Sequence, residues 1–388
     1  MCAPPAASTT AVRSSLPPRL ERLAACIVEA TEGATQVSER LTLSLDAMGG
    51  DHAPHMVIEG MQIAHKRYPE VHYLLFGDER RIAPLVPQEL RDRVTLRHTD
   101  QVISGDTKPS QAVRAGRTSS MGLAIKAVKD GEAAGVVSAG NTGALMAMAK
   151  LMLRTLPGID RPAIATMIPT VRGESIMLDL GANTEVQANN LVEFAIMGEV
   201  FARCLLGHVQ PSIGLLNIGS EDLKGTDALR EAHRILREHP LNMRFHGFVE
   251  GDDIGAGTVD VVVTDGFTGN VALKTAEGTA KLYTKFLKDA FGSSLLARIG
   301  YLLAKGALAK VRQRTDPRRY NGAMLIGLNG ICVKSHGGTD AVGFANAIGV
   351  AVDLIRNRLN DRIREECTRL AAQPDPVPAV APSSVVSG

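Results

Sequence analysis

Six polar, glycine-containing loops follow short apolar runs along the chain and contain most of the side chains that could do chemistry. The first, DAMGGDHAP (residues 46–54), combines two acids and a histidine with a glycine pair. Gly49 and Gly50 allow a sharp turn and a close approach of the backbone to a ligand. We expect Asp51 to cap a helix whose first turn contains Pro54. The free N–H groups of that helix start favour a phosphate or carboxylate, although a well-capped turn without a ligand explains this loop equally well.

The same combination recurs at two further predicted helix starts. In SAGNTGA, Asn141 and Thr142 lie between two glycines. In TDGFTGN, Asp265 and Asn270 flank another glycine-containing start. Three helix starts of one kind favour an anion site more strongly than one does.

Lysines could supply the positive charge of such a site. Lys224 lies in GSEDLKG, in a loop or at a helix start, where a long cation opposes the helix dipole unless an anion is bound. The alternative is a solvated surface lysine. Lys274, Lys334 and His336 are predicted near strand ends and could complete a cationic lining.

The sequence gives little support for a metal site. His52, His55 and His336 show no HExxH or comparable helical pair. Four carboxylates near strand ends could coordinate a divalent ion: Asp46, Asp51, Asp179 and Asp265. The alternative is that they cap helices or bind lysine. We predict neither a metal nor a cofactor.

Composition excludes several classes of protein. The 388 residues are 45% hydrophobic, 22% charged and 4% aromatic, without Trp and with a net charge of +2, which is typical of an enzyme rather than of a disordered chain or an aromatic nucleic-acid platform. The five cysteines form no CxxC pair, so we expect free thiols in a reducing compartment. The dinucleotide GxGxxG, P-loop and GxSxG patterns are absent.

Apolar runs that alternate with helical patterns predict the architecture. The pattern indicates a mostly parallel sheet with helices on both faces. In such a sheet the six loops would lie at one edge, so we expect a single shared cleft there. The stretch AIATMIPTVRGESIMLDL breaks the alternation and predicts a hairpin that turns at Arg172–Gly173.

The terminal segments and one internal segment differ from this pattern. We predict disordered extensions over residues 1–39 and 373–388 and a single catalytic domain over residues 40–372. A helical arm is expected at about residues 285–320, because an apolar face accompanies seven Lys/Arg and one acid between Leu295 and Arg319. A basic amphipathic helix fits either an anionic membrane surface or a dimer contact, and the two are not exclusive.

Eight motifs, in the order in which they occur, resemble those of the bacterial phosphate acyltransferases: DAMGGDHAP, SSMGLAIKAV, VSAGNTGALMA, GIDRPAIATMIPT, LDLGAN, GLLNIGSEDLKG, VVVTDGFTGNVALKT and VKSHGGTDA. The resemblance covers roughly residues 41–370. Two departures from the family's pattern are Gly116–Thr118 before SSM, where two basic residues and Asp or Asn are usual, and Glu185, where Asp is common.

The resemblance implies transfer of a long-chain fatty acyl group from acyl carrier protein to inorganic phosphate, giving acyl phosphate for glycerophospholipid synthesis. It also implies an α/β fold of the isocitrate/isopropylmalate dehydrogenase-like type, which is Rossmann-like with three layers. A cytoplasmic homodimer that visits an anionic membrane surface, and a membrane glycerol-3-phosphate acyltransferase as partner, are implied in the same way. No nucleic-acid partner is expected.

Phosphate can attack a thioester without a catalytic triad, so the site needs a phosphate cradle and donors for the oxyanion. We expect Lys224, Asp265 and Asn270 to be catalytic. Lys224, together with the loops Asp46 to His52 and Gly140 to Gly143, is expected to bind phosphate and stabilise the transition state. The predicted substrate-binding and phosphate-binding residues are Asp46, Gly49, Gly50, Asp51, His52, Gly140, Asn141, Thr142, Gly143, Asn183, Lys274, Lys334 and His336.

Three other functions compete with this hypothesis. A short-chain phosphotransacylase that uses coenzyme A would suit the same fold. A membrane-associated scaffold would bind lipid tightly without phosphate-dependent turnover. A dehydrogenase is disfavoured because the nicotinamide fingerprint is absent.

Overall fold

The computed structural model describes residues 41–238 and 243–372. Within these ranges, eleven strands form one sheet. They are β1 (Thr42–Asp46), β2 (His72–Gly77), β3 (Val94–His98), β4 (Gly135–Ser138), β5 (Ala163–Thr170), β6 (Gly173–Leu178), β7 (Ser212–Leu216), β8 (Arg244–Val249), β9 (Val261–Val263), β10 (Ala323–Ile326) and β11 (Ile331–Lys334). The predicted extensions, residues 1–39 and 373–388, lie outside the described residues.

Helices follow most of the strands. They are α1 (His55–Arg67), α2 (Glu79–Ile82), α3 (Pro109–Ala115), α4 (Ser120–Lys129), α5 (Thr142–Leu153), α6 (Ala188–Leu206), α7 (Asp227–Glu238), α8 (Gly251–Ala256), α9 (Gly266–Gly292), α10 (Leu295–Arg314), α11 (Ala341–Arg356) and α12 (Leu359–Ala372). The sheet order is β3-β2-β1-β4-β11-β10-β5-β6-β9-β7-β8.

Both faces of the sheet are buried, as the nearly continuous apolar strands predict. Successive residues of a strand enter different cores, because side chains alternate across a sheet: Val261 and Val263 join one cluster and Val262 the other. The first cluster includes residues of α1, α6, α7, α11 and α12, and the second includes residues of α3, α4 and α5. The three-layer arrangement and the mostly parallel sheet are therefore confirmed.

Strand directions do not confirm a single edge for the six loops. One row of paired residues crosses the sheet, with Val137 opposite Val333, Val333 opposite Met324, Met324 opposite Ala165, and Ala165 opposite Leu178. The three central pairings, β11–β10, β10–β5 and β5–β6, are antiparallel, and an odd number of reversals leaves the two halves of the sheet running in opposite directions.

The loops consequently form two groups at opposite edges, and the prediction of one shared edge is wrong. The first loop group follows β1, β4 and β11 and comprises residues 46–54, 139–143 and 335–340. The second loop group follows β6, β7 and β9 and comprises residues 179–187, 217–226 and 264–270. Between β11 and β6 the sheet spans three strand spacings, or about 14 Å.

The predicted hairpin is present. β5 and β6 pair antiparallel from Thr170 opposite Gly173 to Ala165 opposite Leu178. The two residues between them are Val171 and Arg172, and Gly173 adopts a φ of +142°, which favours glycine. This hairpin contributes one of the three reversals that separate the loop groups.

The predicted arm is helical and longer than expected. It consists of α9 and α10, which begin at Gly266 rather than near residue 285, and the ring of Phe291 packs edge-on against Tyr301 at 5.5 Å between centroids. Only Gly266 and Gly269 of these two helices are buried. None of the helices in the two described ranges has the length and hydropathy needed to cross a bilayer.

Candidate active site

Asp179 organises the second loop group. Its buried carboxylate accepts hydrogen bonds from the backbone N–H groups of Ile164 (3.0 Å), Gly181 (3.1 Å), Ala182 (2.9 Å) and Asn183 (2.7 Å). Burial raises the pKa of this carboxyl, and the backbone hydrogen bonds oppose that shift. Because these internal donors already bond to the carboxylate, we interpret Asp179 as a residue that organises the loop rather than as a metal ligand.

Asn183 belongs to the same structural network. Its Nδ2 donates to Pro162 O at 2.8 Å and to Asp179 Oδ2 at 2.9 Å, and its backbone carbonyl accepts from Gly266 N at 2.7 Å. The loop after β6 is thereby tied to the start of α9. The predicted contact of Asn183 with substrate remains a prediction.

Two predicted catalytic residues lie at the start of α9. Asp265 is the N-cap, and its carboxylate accepts hydrogen bonds from Thr268 N at 2.8 Å and Thr268 Oγ1 at 2.7 Å. Asn270 donates through Nδ2 to Leu180 O at 3.1 Å. Gly266 and Gly269 pack so closely against the loop after β6 that a Cβ at either position would overlap its backbone. These contacts bring Asn183, Asp265 and Asn270 together.

The third member of this group is the loop that carries Lys224. β7 pairs with β9, so residues 217–226 leave the sheet beside residues 264–270. The Lys224 side chain is exposed, and within residues 41–238 and 243–372 its ammonium makes no hydrogen bond or ion pair. A cation in this position is available to an anionic ligand.

Exposed apolar side chains flank these polar groups. Ile218 and Leu223 lie on the loop of Lys224, and Phe267 and Val271 lie on the first turns of α9, all at least half exposed. The second loop group thus combines a free ammonium, an amide, helix N–H groups and an apolar surface. Such a combination can hold a phosphate next to a hydrocarbon chain.

The first loop group is built around Asp46. Its buried carboxylate accepts a hydrogen bond from Ser138 Oγ at 2.7 Å, and Ser120 is a second hydroxyl partner. Burial raises the pKa of Asp46, and these hydroxyls lower it. A Cβ on Gly49 would overlap this carboxylate, while Gly50 adopts a φ of +104° against Ala139. The glycine pair is therefore explained by packing.

Asp51 and Pro54 do not have the predicted capping roles. Pro54 is itself the N-cap residue of α1, no side chain caps that helix, and Asp51 is exposed, with its backbone N–H bound to Gly337 O at 3.0 Å. His52 is exposed as well. The turn is held by backbone contacts to the loop after β11, which the local sequence does not reveal.

The loop after β4 leads into a helix start, as predicted. Asn141 accepts from Ala144 N at 2.8 Å as the N-cap of α5, and its Nδ2 donates to Gly105 O at 2.5 Å. Thr142 begins the helix and is exposed. Gly140 donates to Ser138 Oγ at 3.0 Å, and a Cβ on Gly143 would lie 3.0 Å from Pro109.

Lys334 is the last residue of β11 and His336 follows the strand, so both lie near a strand end, as predicted. The Lys334 ammonium is buried and donates to Ala139 O at 3.4 Å and to Ser335 O. Burial lowers the pKa of Lys334 to about 8, against the opposing effect of Asp46 and Asp51. His336 Nδ1 accepts from Gly338 N at 3.2 Å. Both side chains are engaged within the protein.

Lys274 is not near a strand end. It lies in the third turn of α9, is exposed and pairs with Glu277 at 2.8 Å. In the described part of the chain no cluster of three His, Cys, Asp or Glu side chains could hold a metal ion.

Some residues of the two groups gave little sequence signal. Ser120 and Ser138 support Asp46; both lie in motifs of the family resemblance, but neither was predicted as a site residue. Asn321 donates to Ser335 Oγ at 2.8 Å and accepts from His336 N at 2.8 Å from a distant strand start, so no local pattern could have indicated it.

Comparison with known proteins places the chain in a family. The family described as "fatty acid synthesis protein" matches residues 41–362. A phosphate acyltransferase of Rhodospirillum rubrum is 65% identical over 343 residues, covering 88% of this chain and 98% of that protein. One from Paramagnetospirillum magneticum is 63% identical over 355 residues, covering 91% and 99%.

Among solved structures, a phosphotransacetylase from Streptococcus pyogenes matches with a TM-score of 0.54 at 16% identity, covering 82% of this chain and 95% of that one. At such identity the likeness shows a shared α/β fold alone. The sequence relationships are much closer and span nearly the whole length of the relatives, so this chain belongs to the fatty acid synthesis protein family, together with the phosphate acyltransferases.

Proposed function

We propose that the protein is an acyltransferase that moves an acyl group to inorganic phosphate. The observation that carries this proposal is the 65% identity to a phosphate acyltransferase over 98% of that enzyme's length. The finer proposal is a long-chain acyl group donated by acyl carrier protein, with acyl phosphate used for glycerophospholipid synthesis. The isocitrate/isopropylmalate dehydrogenase-like type of fold is part of the same proposal.

The reaction is an acyl substitution. A phosphate oxygen attacks the thioester carbonyl, an O–C bond forms, and the C–S bond breaks as the thiolate departs and takes up a proton. Phosphate is largely dianionic at neutral pH, and a thiol with a pKa of about 8.5 is a good leaving group, so no covalent enzyme intermediate is required. The protein must orient two anionic reactants and stabilise the oxyanion.

The second loop group is our candidate for this chemistry. Lys224 would neutralise phosphate, Asn270 would donate to the oxyanion or phosphate, and Asp265 would hold the start of α9. Support comes from the unengaged ammonium of Lys224 and from the exposed Ile218 and Phe267, against which an acyl chain could lie. By contrast, the ammonium of Lys334 in the first loop group is buried and hydrogen-bonded.

The first loop group is assigned a different part of the substrate. Because it leaves the opposite edge of the sheet, we do not place it at the same phosphate as Lys224. In place of the predicted contact with phosphate, we propose that this group binds the acyl donor at a distance from the reacting carbonyl. Its residues are Asp46 to His52, Gly140 to Gly143, Lys334 and His336.

The quaternary and cellular parts of the proposal concern the arm. A homodimer in the cytoplasm that attaches peripherally to an anionic membrane, near a membrane glycerol-3-phosphate acyltransferase, is supported by the exposed apolar residues of α10 beside Arg298, Lys305 and Lys310.

A phosphotransacylase that uses coenzyme A is the second candidate, because a phosphotransacetylase shares the fold. Purified enzyme should be incubated with palmitoyl-acyl carrier protein or palmitoyl-coenzyme A, with and without phosphate, while acyl phosphate is measured. Product from the carrier-protein donor alone supports the main proposal. Product from coenzyme A alone supports the second, and no product from either contradicts both and supports a scaffold.

Lys224→Ala tests the site. We expect kcat/KM for phosphate to fall about 100-fold or more, because a charge that stabilises the transition state is removed. Lys150→Ala, which removes an exposed lysine at the end of α5, is the matched control and should keep wild-type kinetics. A near-normal rate for Lys224→Ala would remove Lys224 from the mechanism.

A further inference from the structure

The backbone around Lys224 is held by two side chains outside the predicted site. Asn217 directly follows β7 and is buried. Its Oδ1 accepts from Ile218 N at 2.9 Å, and its Nδ2 donates to the carbonyl oxygen of Lys224 at 3.2 Å. One amide therefore joins both ends of the loop between β7 and α7.

Arg230, in the first turn of α7, holds the next carbonyl. Its Nη1 donates to Gly225 O at 2.7 Å, and its Nη2 pairs with Asp227. Gly225 has a φ of +87° and lies so close to Asn217 that a Cβ would overlap Oδ1. The absence of a Cβ at Gly225 thus permits the hydrogen bond from Asn217 to the carbonyl oxygen of Lys224.

The N–H of Lys224 is engaged too, since it donates to Glu221 O at 3.0 Å. Three backbone groups of two adjacent residues, Lys224 N–H, Lys224 C=O and Gly225 C=O, are consequently bonded, while the Lys224 ammonium has no partner among the described residues. A flexible lysine loses rotamer entropy when it binds an anion. A backbone that fixes the Cα–Cβ direction of Lys224 limits this loss of entropy, and it also limits the positions that the ammonium can reach.

We infer that Asn217 and Arg230 are positioning residues for the acyl transfer, which act by fixing the backbone of Lys224 so that its ammonium meets the phosphate. The inference rests on the proposed role of Lys224. Misplacement of a catalytic group by 1 Å can cost about 100-fold in rate, so loosening this backbone should be measurable.

The test compares Arg230→Met with Arg234→Met. Arg234 lies one turn further along α7 and, among the described residues, bonds only to Glu231 and Glu238 of the same helix, so it is the matched control. Asn217→Asp is the second variant, since it keeps the acceptor for Ile218 N but loses the donor to Lys224 O. The donor substrate is whichever of palmitoyl-acyl carrier protein and palmitoyl-coenzyme A supports wild-type turnover.

We expect Arg230→Met and Asn217→Asp to lower kcat/KM for phosphate about ten-fold to 100-fold, with KM for the acyl donor unchanged and Tm within about 2 °C of wild type. Arg234→Met should match wild type. In the Lys224→Ala background, Arg230→Met should cause no further loss, because its effect passes through Lys224.

Each failure has its own signature. If Lys224→Ala is impaired but Arg230→Met and Asn217→Asp are not, the positioning inference is overturned and the proposed function stands. If Arg230→Met still reduces the rate of Lys224→Ala, its role is structural and the inference is overturned. Normal turnover by Lys224→Ala overturns the proposed role of Lys224 and the inference together.

Discussion

Glu199 is a carboxylic acid buried on α6 between charged neighbours. Its Oε1 lies 3.0 Å from Arg203 Nε, and Arg203 also binds Glu366 of α12 at 2.9 Å. Burial and the nearby Glu366 raise the pKa of Glu199 to about 7, against the opposing effect of Arg203. Arg203 and Glu366 therefore join the two helices, and the charge of Glu199 beside them changes near neutral pH.

The sign of the resulting pH dependence follows from proton binding. Between the ordinary glutamate pKa of 4.5 and about 7, the folded protein binds more protons at Glu199 than the unfolded chain does. Folding stability from this group is therefore present below about pH 4.5 and is lost as pH rises towards 7.

Glu199→Gln tests this. The free energy of unfolding of wild type should fall relative to that of the variant between about pH 4.5 and 7, because the amide does not titrate. Urea unfolding at several pH values measures the difference, and Glu59→Gln, an exposed change on α1, is the control. A difference that is constant with pH would contradict the raised pKa.

At the scale of elements, α9 depends on Asp265 for its start. As N-cap, Asp265 satisfies Thr268 N, and the same helix carries Asn270. Cap and catalytic roles for this carboxylate can be separated, because asparagine caps as well as aspartate does.

Asp265→Ala should destabilise the protein by about 1 kcal/mol and lower turnover, because the start of α9 loosens. Asp265→Asn should restore the Tm. If Asp265→Asn also restores kcat, the carboxylate acts as a cap, whereas loss of kcat at normal Tm assigns it a part in the chemistry. Thermal unfolding and steady-state kinetics of both variants decide between these roles.

At the scale of the whole molecule, the arm of α9 and α10 exposes many large apolar side chains. Leu296 and Leu303 are 81% and 84% exposed. A membrane, a second copy of the chain or both could cover them, and basic residues on the same helix favour an anionic surface.

Leu296→Asp with Leu303→Asp should reduce sedimentation with vesicles of phosphatidylcholine and phosphatidylglycerol, because a carboxylate replaces each apolar contact. Val209→Asp changes an equally exposed apolar residue outside the arm and should have no effect. Sedimentation velocity in parallel reports the dimer. If sedimentation of the wild-type protein with vesicles does not depend on phosphatidylglycerol, the membrane role is contradicted and the dimer contact is the remaining explanation.

Much of this molecule was predictable from local sequence. Short apolar runs followed by helical patterns identified the alternating elements, and two apolar runs flanking Arg172–Gly173 identified the hairpin. The polar loops were found because glycine, Asn141 and Asp265 serve recognisable helix starts. The contacts of Asn183 and Asn321 were not predictable, since their partners are remote in sequence or lie in other loops.

By itself, the sequence determined the class of fold, the candidate loops and the family resemblance, because these depend on side-chain periodicity and on motifs of adjacent residues. Only the tertiary structure decided that the loops face two opposite edges. Strand direction depends on which apolar strands pair, and side-chain pattern is the same for parallel and antiparallel neighbours buried on both faces. The sequence offered both Lys224 and Lys334 as cations for the site, yet in the described part of the chain the Lys224 ammonium has no partner at one edge, whereas that of Lys334 is buried at the other.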